Sequence, residues 1–166
     1  VSRTTEELTV EVPAGIRDGQ LLEYSGYGDM PAGGGRAGNL YVRVDVNPHE
    51  TFQRQDDDVH LTLEISFAQA SLGDRLEIPT VDGPEQINID PGTQSGEQIY
   101  LRSRGLPNLH SGRRGDHIVT VSVKTPTELS DRQVELLQEF AQEDGVELDP
   151  PPNSSFFDRV RQAFGG

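Results

Sequence analysis

Four histidines are the first residues of this sequence that could bind a metal ion or transfer a proton. His49 follows Pro48 in a turn, His60 lies on the polar face of an alternating strand, His110 lies in a loop and His117 begins a strand. None has the H-x-x-H or H-E-x-x-H spacing that brings two imidazoles to one metal ion. The histidines therefore predict no metal site.

Three consecutive carboxylates, Asp56, Asp57 and Asp58, are a second candidate. Adjacent carboxylates repel one another, and a bound Ca²⁺ relieves that repulsion. The glycine and the distal glutamate of a calcium loop are missing here, however. The sequence favours a solvated turn before a strand.

The glycine-rich segment from Gly26 to Gly38 raises the question of phosphate binding. A phosphate loop opens a helix and carries a lysine with a serine or threonine, whereas this segment leads into a strand near Leu40. No serine stands in a G-x-S-x-G elbow, and the chain has no cysteine for a disulfide, a thiolate zinc site or a nucleophile. We therefore predict a protein that is not an enzyme and holds no cofactor or metal in this sequence.

An internal duplication organises the chain. A shift of 77 residues places four glycines on four others without a gap: Gly15 on Gly92, Gly19 on Gly96, Gly28 on Gly105 and Gly38 on Gly115. Each copy reads as a turn, a strand, a glycine loop and a closing strand. The glycines predict turn conformations that a Cβ would disfavour.

Alternating apolar residues predict the strands. Val42, Val44 and Val46 share one face of the first closing strand, Leu8 to Val12 predicts an opening strand, and Val59 to Ile65 alternates ahead of the second copy. We predict a mainly β fold with two tandem β-rich, sandwich-like subdomains related by internal duplication. The first subdomain spans residues 1–50, the second spans 51–128, and a helical segment spans 129–166.

The C-terminal segment has helical rather than alternating periodicity. Ser130 and Gln133 form a capping box that predicts a helix start, and Gly145 predicts its end. The apolar residues at helical spacing are Val134, Leu137, Phe140 and Ala141. After a proline-rich linker, a short second helix is predicted, with an apolar stripe formed by Phe156, Phe157, Val160, Ala163 and Phe164. So short a helix needs a partner surface.

The charge balance is strongly acidic, with 28 acidic and 14 basic residues and Lys124 as the one lysine. Such a surface repels phosphate backbones, which argues against nucleic-acid binding. Its carboxylates also suggest adaptation to high salt, where self-repulsion is screened; ordinary acidic composition is the alternative. No apolar run is long enough to span a membrane, and the N-terminus lacks the order of a signal peptide, so we expect a soluble, cytoplasmic protein.

Apolar strand faces are the remaining candidates for function. Each such face either forms a subdomain core or lines a groove to which an extended apolar peptide adds. A structural or adhesive β-sandwich without preference for unfolded polypeptides is an alternative, although the chain has no tryptophan for an aromatic platform. A hydrolase or metal enzyme on the same strands lacks a convergent site.

Long motifs in continuous order support a family resemblance. They include VPAGIRDG, YSGYGD, GNLYVRVDVNPHETF, IPTVDG, PGTQSGEQIYLRSRGLPNL and GDHIVTVSVKTPTELSDRQVELLQEF. From Leu8 to Phe140 the chain resembles the C-terminal region of DnaJ-type (J-domain) co-chaperones. The resemblance implies a homodimer that holds unfolded or non-native polypeptides for a DnaK-type ATPase chaperone.

The resemblance also implies sites. In this family the client groove lies on the first subdomain, and the residues matching or adjoining its apolar lining are Leu8, Val10, Leu40, Val42 and Val44. The family's C-terminal dimerisation element implies contacts by Leu129, Val134, Leu137 and Phe140, or docking of the helix on its own subdomain. Phe156, Phe157, Val160 and Phe164 are further candidates for dimerisation.

This sequence departs from the complete family pattern. It has no His-Pro-Asp tripeptide, no Gly/Phe-rich linker and no CxxCxGxG repeat. The resemblance therefore implies a fragment whose first subdomain is incomplete. It places zinc and the contact with the DnaK-type chaperone in the cysteine-rich insertion and the J-domain, which are missing here.

Overall fold

A computed structural model of the chain describes residues 7–149. Eight strands and two helices occur in this range. In chain order they are β1 (Gln20–Ser25), β2 (Asn39–Val44), β3 (Phe52–Gln55), β4 (Asp58–Ser66), α1 (Phe67–Leu72), β5 (Asp74–Ile78), β6 (Glu85–Ile89), β7 (Gln98–Leu101), β8 (His117–Lys124) and α2 (Asp131–Glu143). The mainly β fold with a C-terminal helix is thus confirmed.

Three sheets carry the β structure of the described residues. β1 and β2 form an antiparallel pair, β5 and β6 form a second, and four strands in the order β3, β4, β8, β7 form the largest sheet. β4 and β8 are parallel, with Val59 opposite His117, and the other pairings are antiparallel. All three sheets lie within one compact unit that ends at Lys124, and α2 belongs to another that begins at Thr125.

The hydrophobic core lies in the second subdomain. β4 alternates as predicted, with Val59, Leu61 and Ile65 buried and polar side chains between them. Leu61 and Ile65 pack in one cluster with residues from α1, β5, β6 and β8: Ala70, Ile78, Ile87, Ile89, Val119 and Val121. Among the described residues of the first subdomain, Ile16 is the one buried apolar side chain.

The backbone contacts of the two subdomains repeat at the shift of 77 residues. The matching hydrogen bonds are Gly19 N–H to Val44 O (2.8 Å) with Gly96 N–H to Val121 O (2.7 Å), and Gly28 N–H to Gly38 O with Gly105 N–H to Gly115 O (both 2.8 Å). The strand register repeats as well, because Leu22 lies opposite Val42 as Ile99 lies opposite Val119. The structure therefore confirms the duplication.

The predicted opening strand from Leu8 to Val12 is wrong. Leu8 and Val10 are half-buried between exposed residues, so the alternation exists, but no strand forms there. The same shift places this segment on β6, which is a strand because it pairs with β5. A strand needs the hydrogen bonds of a neighbour, and the described chain supplies none at this position.

Helix α1 is an element that the alternating pattern did not predict. Ser66 caps it, accepting from the backbone N–H of Gln69 at 3.1 Å while the Gln69 side chain accepts from the Ser66 N–H at 2.9 Å. Its Ser-x-x-Gln spacing is the same capping-box signal that predicted α2. The helix begins at the residue after β4 ends and buries Ala70 in the core.

The predicted capping box of α2 is confirmed. Ser130 Oγ accepts from the N–H of Gln133 at 3.3 Å, and the Gln133 side chain accepts from the Ser130 N–H at 2.8 Å. At the other end Gly145 adopts a left-handed φ of 72°, as the predicted helix end requires. The second predicted helix, from Ser155 onward, lies outside the described residues.

Candidate functional site

One face of the β1–β2 pair carries five half-buried apolar side chains, and we call it the first-subdomain face. They are Leu22, Tyr24, Leu40, Val42 and Val44. The antiparallel register places Tyr24 opposite Leu40 and Leu22 opposite Val42. Directly opposed side chains on one face of an antiparallel pair lie close together, so the five form one continuous apolar surface.

Corresponding residues of the second subdomain are much more buried. Val42 and Val44 correspond to Val119 and Val121, which are 0% and 1% exposed. In the second subdomain residues from β5, β6 and α1 cover this face. Among the described residues of the first subdomain, Val42 and Val44 are only half-buried. The β8 valines are therefore core residues, whereas Ile99 and Leu101 are half-buried, as are their counterparts Leu22 and Tyr24.

The structure brings together only part of the predicted binding set. Leu40, Val42 and Val44 lie on one face of β2, as predicted. Leu8 and Val10 are half-buried but lie outside the sheet. Sequence reasoning missed Leu22 and Tyr24, although the alternation along β1 and its match to β7 carried the signal.

The opposite face of the β1–β2 pair is more exposed and is partly charged. Leu21 and Tyr41 are each 56% exposed. Leu21 lies opposite Arg43 and Tyr41 lies opposite Glu23, so each apolar side chain there adjoins a charge. The first-subdomain face carries no carboxylate or basic group, and its chemistry is contact with other apolar surface.

The glycine loop between β1 and β2 is an inter-strand connection, as predicted. Gly28 donates to the carbonyl of Gly38 at 2.8 Å, and Gly38 donates to that of Asp29 at 3.1 Å. A Cβ on Gly28 would lie 2.7 Å from the Asn39 carbonyl oxygen, so the two sides of the loop approach too closely for any other residue. The loop leads into strand β2 and not into a helix, as a phosphate loop would.

The three consecutive aspartates form the predicted turn, but two of them are not simply solvated. Asp57 Oδ2 accepts from the side-chain amide of Asn108 at 2.7 Å, and Asp58 Oδ1 accepts from the backbone N–H of Asp116 at 2.7 Å. These bonds link the turn to the loop and strand of the second copy. The carboxylates therefore have a structural role, and within residues 7–149 no group of three or more His, Asp or Glu side chains is placed to hold a metal ion.

Two ionisable groups in the second subdomain have shifted pKa values. The Ser103 N–H and the Arg102 side chain, both hydrogen-bonded to Asp116, lower the pKa of that carboxylate. Burial lowers the pKa of His117, outweighing the nearby carboxylate of Glu85. Asp116 directly precedes β8 and His117 begins it, so both residues lie in a different sheet from the first-subdomain face.

The described candidates for dimerisation differ in exposure. Val134 is buried, Leu129 is half-buried, and Leu137 and Phe140 are 38% and 55% exposed. Leu136, which the helical spacing did not select, is also exposed. Phe156, Phe157, Val160 and Phe164 lie outside the described residues.

The fold and the first-subdomain face define the class of the protein: a duplicated β-rich module with a half-buried apolar face on its first subdomain. Residues 1–126 match the DnaJ C terminal domain, and residues 132–166 match the Chaperone protein DnaJ C-terminal region. The chain therefore belongs to the DnaJ C-terminal domain family. The two matches adjoin near the predicted boundary at residue 128.

Relatives from several bacteria are similar over nearly the whole chain. Chaperone protein DnaJ of Macrococcus caseolyticus is 44% identical over 98% of this chain, and that of Halalkalibacterium halodurans is 43% identical over 99%. Chaperone protein DnaJ 2 of Streptomyces avermitilis is 43% identical over 99%. These alignments cover 43% to 44% of the relatives, so the chain spans less than half of their length.

The structure also bears on membrane association. No helix in residues 7–149 is both long enough and apolar enough to cross a bilayer.

Proposed function

We propose that this chain is the client-binding and dimerisation module of a DnaJ co-chaperone, which holds unfolded polypeptides for a DnaK-type ATPase chaperone. It acts by binding and performs no catalysis. The observation that carries the proposal is the first-subdomain face, on which five half-buried apolar side chains of β1 and β2 lie side by side without a carboxylate or basic group. An unfolded polypeptide offers the apolar side chains that would complete this burial.

The physical basis of binding is the removal of apolar surface from water. Each fully buried valine or leucine side chain contributes about 1.5–3 kcal/mol relative to exposure, and half-buried residues contribute only the part still exposed. Ordering an extended client costs conformational entropy, which offsets much of this gain. Binding through these few side chains is therefore weak and tolerant of client sequence, as a holding function requires.

A pair of variants with opposite faces changed tests the client site. Leu40→Ser with Val42→Ser removes apolar surface from the first-subdomain face, while Leu21→Ser with Tyr41→Ser removes it from the other side of the same strands. We expect the first pair to weaken binding of a fluorescent apolar peptide and to reduce suppression of aggregation of a denatured client. Equal losses in both pairs would contradict the assignment, and circular dichroism controls for folding.

The helical segment supports the dimerisation part of the proposal. Leu137 and Phe140 present exposed surface on α2, whereas the burial of Val134 shows that this residue packs within its own chain. We expect Leu137→Ser with Phe140→Ser to lower the molar mass measured by light scattering. The alternative, docking of the helix on its own subdomain, predicts an unchanged mass and a lower unfolding midpoint.

The partnership with a DnaK-type ATPase requires a J-domain, which this sequence does not contain. We therefore expect no stimulation of phosphate release when this chain is added to such an ATPase, and stimulation would overturn this part of the proposal. We place the protein in the cytoplasm, and we place the zinc of a complete family member in a cysteine-rich insertion, because this chain has no cysteine to bind it.

A further inference from the structure

A set of contacts joins the turn before β1 to the second subdomain, and we call it the joint. It consists of Gly15, Ile16 and Arg17 on one side and of Arg54, the Asp56–Asp57 turn and Pro107 on the other. Residues 45–51 connect the two subdomains covalently between β2 and β3. The joint is the non-covalent contact that accompanies this short connection.

Arg54 makes the central hydrogen bonds of the joint. From the end of β3 its guanidinium donates to the carbonyl of Ile16 at 2.6 Å and to that of Gly15 at 2.8 Å. Its remaining nitrogen, Nε, donates to the carbonyl of Asp56 at 2.7 Å. One planar fork therefore holds the turn of the first subdomain and the turn of the second at the same time.

Close backbone packing supports the same joint from the other side. A Cβ on Gly15 would lie 1.9 Å from the carbonyl oxygen of Pro107, so only glycine permits this approach. The side chain of Ile16 is buried, although its counterpart in the duplication, Thr93, is only half-buried. Gly15 and Ile16 thus make contacts that their counterparts do not make, since a Cβ on Gly92 would meet only open space.

Ion pairs contribute less to the joint. Arg17 lies 3.4 Å from Asp56 and 3.6 Å from Asp57, but Arg17 and Asp56 are well exposed. Exposed pairs of this kind are screened by solvent and salt and stabilise little. The hydrogen bonds of Arg54 and the contact of Gly15 with Pro107 therefore contribute most to holding the two subdomains together at the joint.

We propose that Arg54 is a positioning residue that fixes the orientation of the first-subdomain face relative to the second subdomain. It acts through the carbonyls of Gly15 and Ile16, which lie just ahead of β1, the strand that carries Leu22 and Tyr24. The orientation itself does not depend on client binding. Its consequence, that a client in contact with both subdomains binds more weakly when the joint opens, rests on the proposed function.

The absence of cysteine allows a direct test with spin labels. Ser25→Cys on β1 and Glu77→Cys on β5 place labels on exposed positions of the two subdomains, and pulsed electron paramagnetic resonance measures the distance between them. In Arg54→Lys the charge remains but the fork is lost, and we expect a broader, shifted distance distribution. Arg75→Lys, an exposed change on β5, is the control and should leave the distribution unchanged.

Gly15→Ala tests the joint from the first subdomain. Gly19→Ala is its matched control, because Gly19 has a similar positive φ but open space around it. If Arg54→Lys does not fold, a broadened distribution in Gly15→Ala but not in Gly19→Ala supports the joint. An unchanged distribution in folded Arg54→Lys, or equal broadening in the two alanine variants, overturns it.

Measuring peptide binding alongside the label distance distinguishes a failure of this inference from a failure of the proposed function. Val42→Ser should weaken peptide binding without changing the label distance, whereas Arg54→Lys should change the distance. If Val42→Ser binds normally while Arg54→Lys opens the joint, the client site is wrong and the joint stands.

Discussion

The imidazole ring of His117 lies edge-on to the ring of Phe52, with centroids 5.6 Å apart and planes at 88°. His117 is 0% exposed, and neither of its ring nitrogens has a hydrogen-bond partner within the described residues. A neutral imidazole fits this apolar contact better than a charged one. The second subdomain therefore contains a group whose protonation opposes folding.

This environment predicts a loss of stability in acid. Burial lowers the pKa of His117 below its ordinary value of 6.5. Below about pH 6.5 the unfolded chain takes up a proton that the folded chain does not, so the free energy of unfolding falls as pH decreases, while above this pH the effect vanishes. Urea unfolding at about pH 8 and about pH 5 should show a smaller difference in midpoint for His117→Leu than for the parent. In the exposed-site control His110→Gln, the difference between the two urea midpoints should be as large as in the parent. If His117→Leu also keeps the full difference, His117 does not cause the loss of stability in acid.

Two glycine substitutions should differ sharply in stability. A Cβ on Gly105 would lie 2.6 Å from the Asp57 carbonyl oxygen and 2.7 Å from that of Asp116, and all its nearest neighbours are backbone. We expect Gly105→Ala to lower the free energy of unfolding by about 1–3 kcal/mol, as overpacking does. Gly33 has open space and no positive φ, so Gly33→Ala should change it by less than about 1 kcal/mol. Chemical denaturation measures both, and similar losses would argue against the close approach at Gly105.

Equivalent valines of the two copies should separate stability from binding. Val119→Ala removes two methyl groups from a fully buried site, and we expect a loss of about 2 kcal/mol in the free energy of unfolding. Val42→Ala should cost less than about 1 kcal/mol, because Val42 is only half-buried. It should instead weaken binding of an apolar peptide. A larger loss of stability in Val42→Ala would mean that this face is a core.

High salt should stabilise the protein if its acidic surface is an adaptation. The formal net charge is −14, and self-repulsion among the carboxylates opposes the compact state at low ionic strength. Screening at molar KCl should raise the urea midpoint above its value in dilute buffer, although the exposed ion pairs weaken at the same time. Equal midpoints would remove the idea of adaptation and leave an ordinary acidic composition.

Much of the fold could be predicted because it depends on local patterns. The glycines at Gly28 and Gly105, the alternation along β2 and the capping box at Ser130 each report a backbone conformation within a few residues. The segment from Leu8 failed for a physical reason, since alternation describes which side chains are buried but does not provide a hydrogen-bonding neighbour. Part of the candidate site followed from β2, while Leu22 and Tyr24 required the register of β1 to be used as well.

The contacts between the subdomains could not be predicted from periodicity. Arg54 and Gly15 are 39 residues apart in the sequence, and neither the residue types nor this separation predicts the hydrogen bond between them. Asp57 was interpreted from its neighbours in sequence, whereas its role depends on Asn108, which lies 51 residues away. Such pairs can be identified only in the folded structure, where the turns lie next to one another.

The parallel pairing of β4 with β8 has a consequence for the newly synthesised chain. Val59 cannot form its pairing until His117 has been synthesised, and Val119 pairs with both Leu61 of β4 and Ile99 of β7. β8 is therefore the strand that joins β4 to β7 in the sheet. Sheets whose strands pair across a long stretch of sequence fold slowly. Until β8 leaves the ribosome, Leu61 and Ile65 have no finished core to enter, and apolar strands of this kind are prone to aggregate. During its own synthesis the chain therefore passes through a state like the clients that we propose it binds.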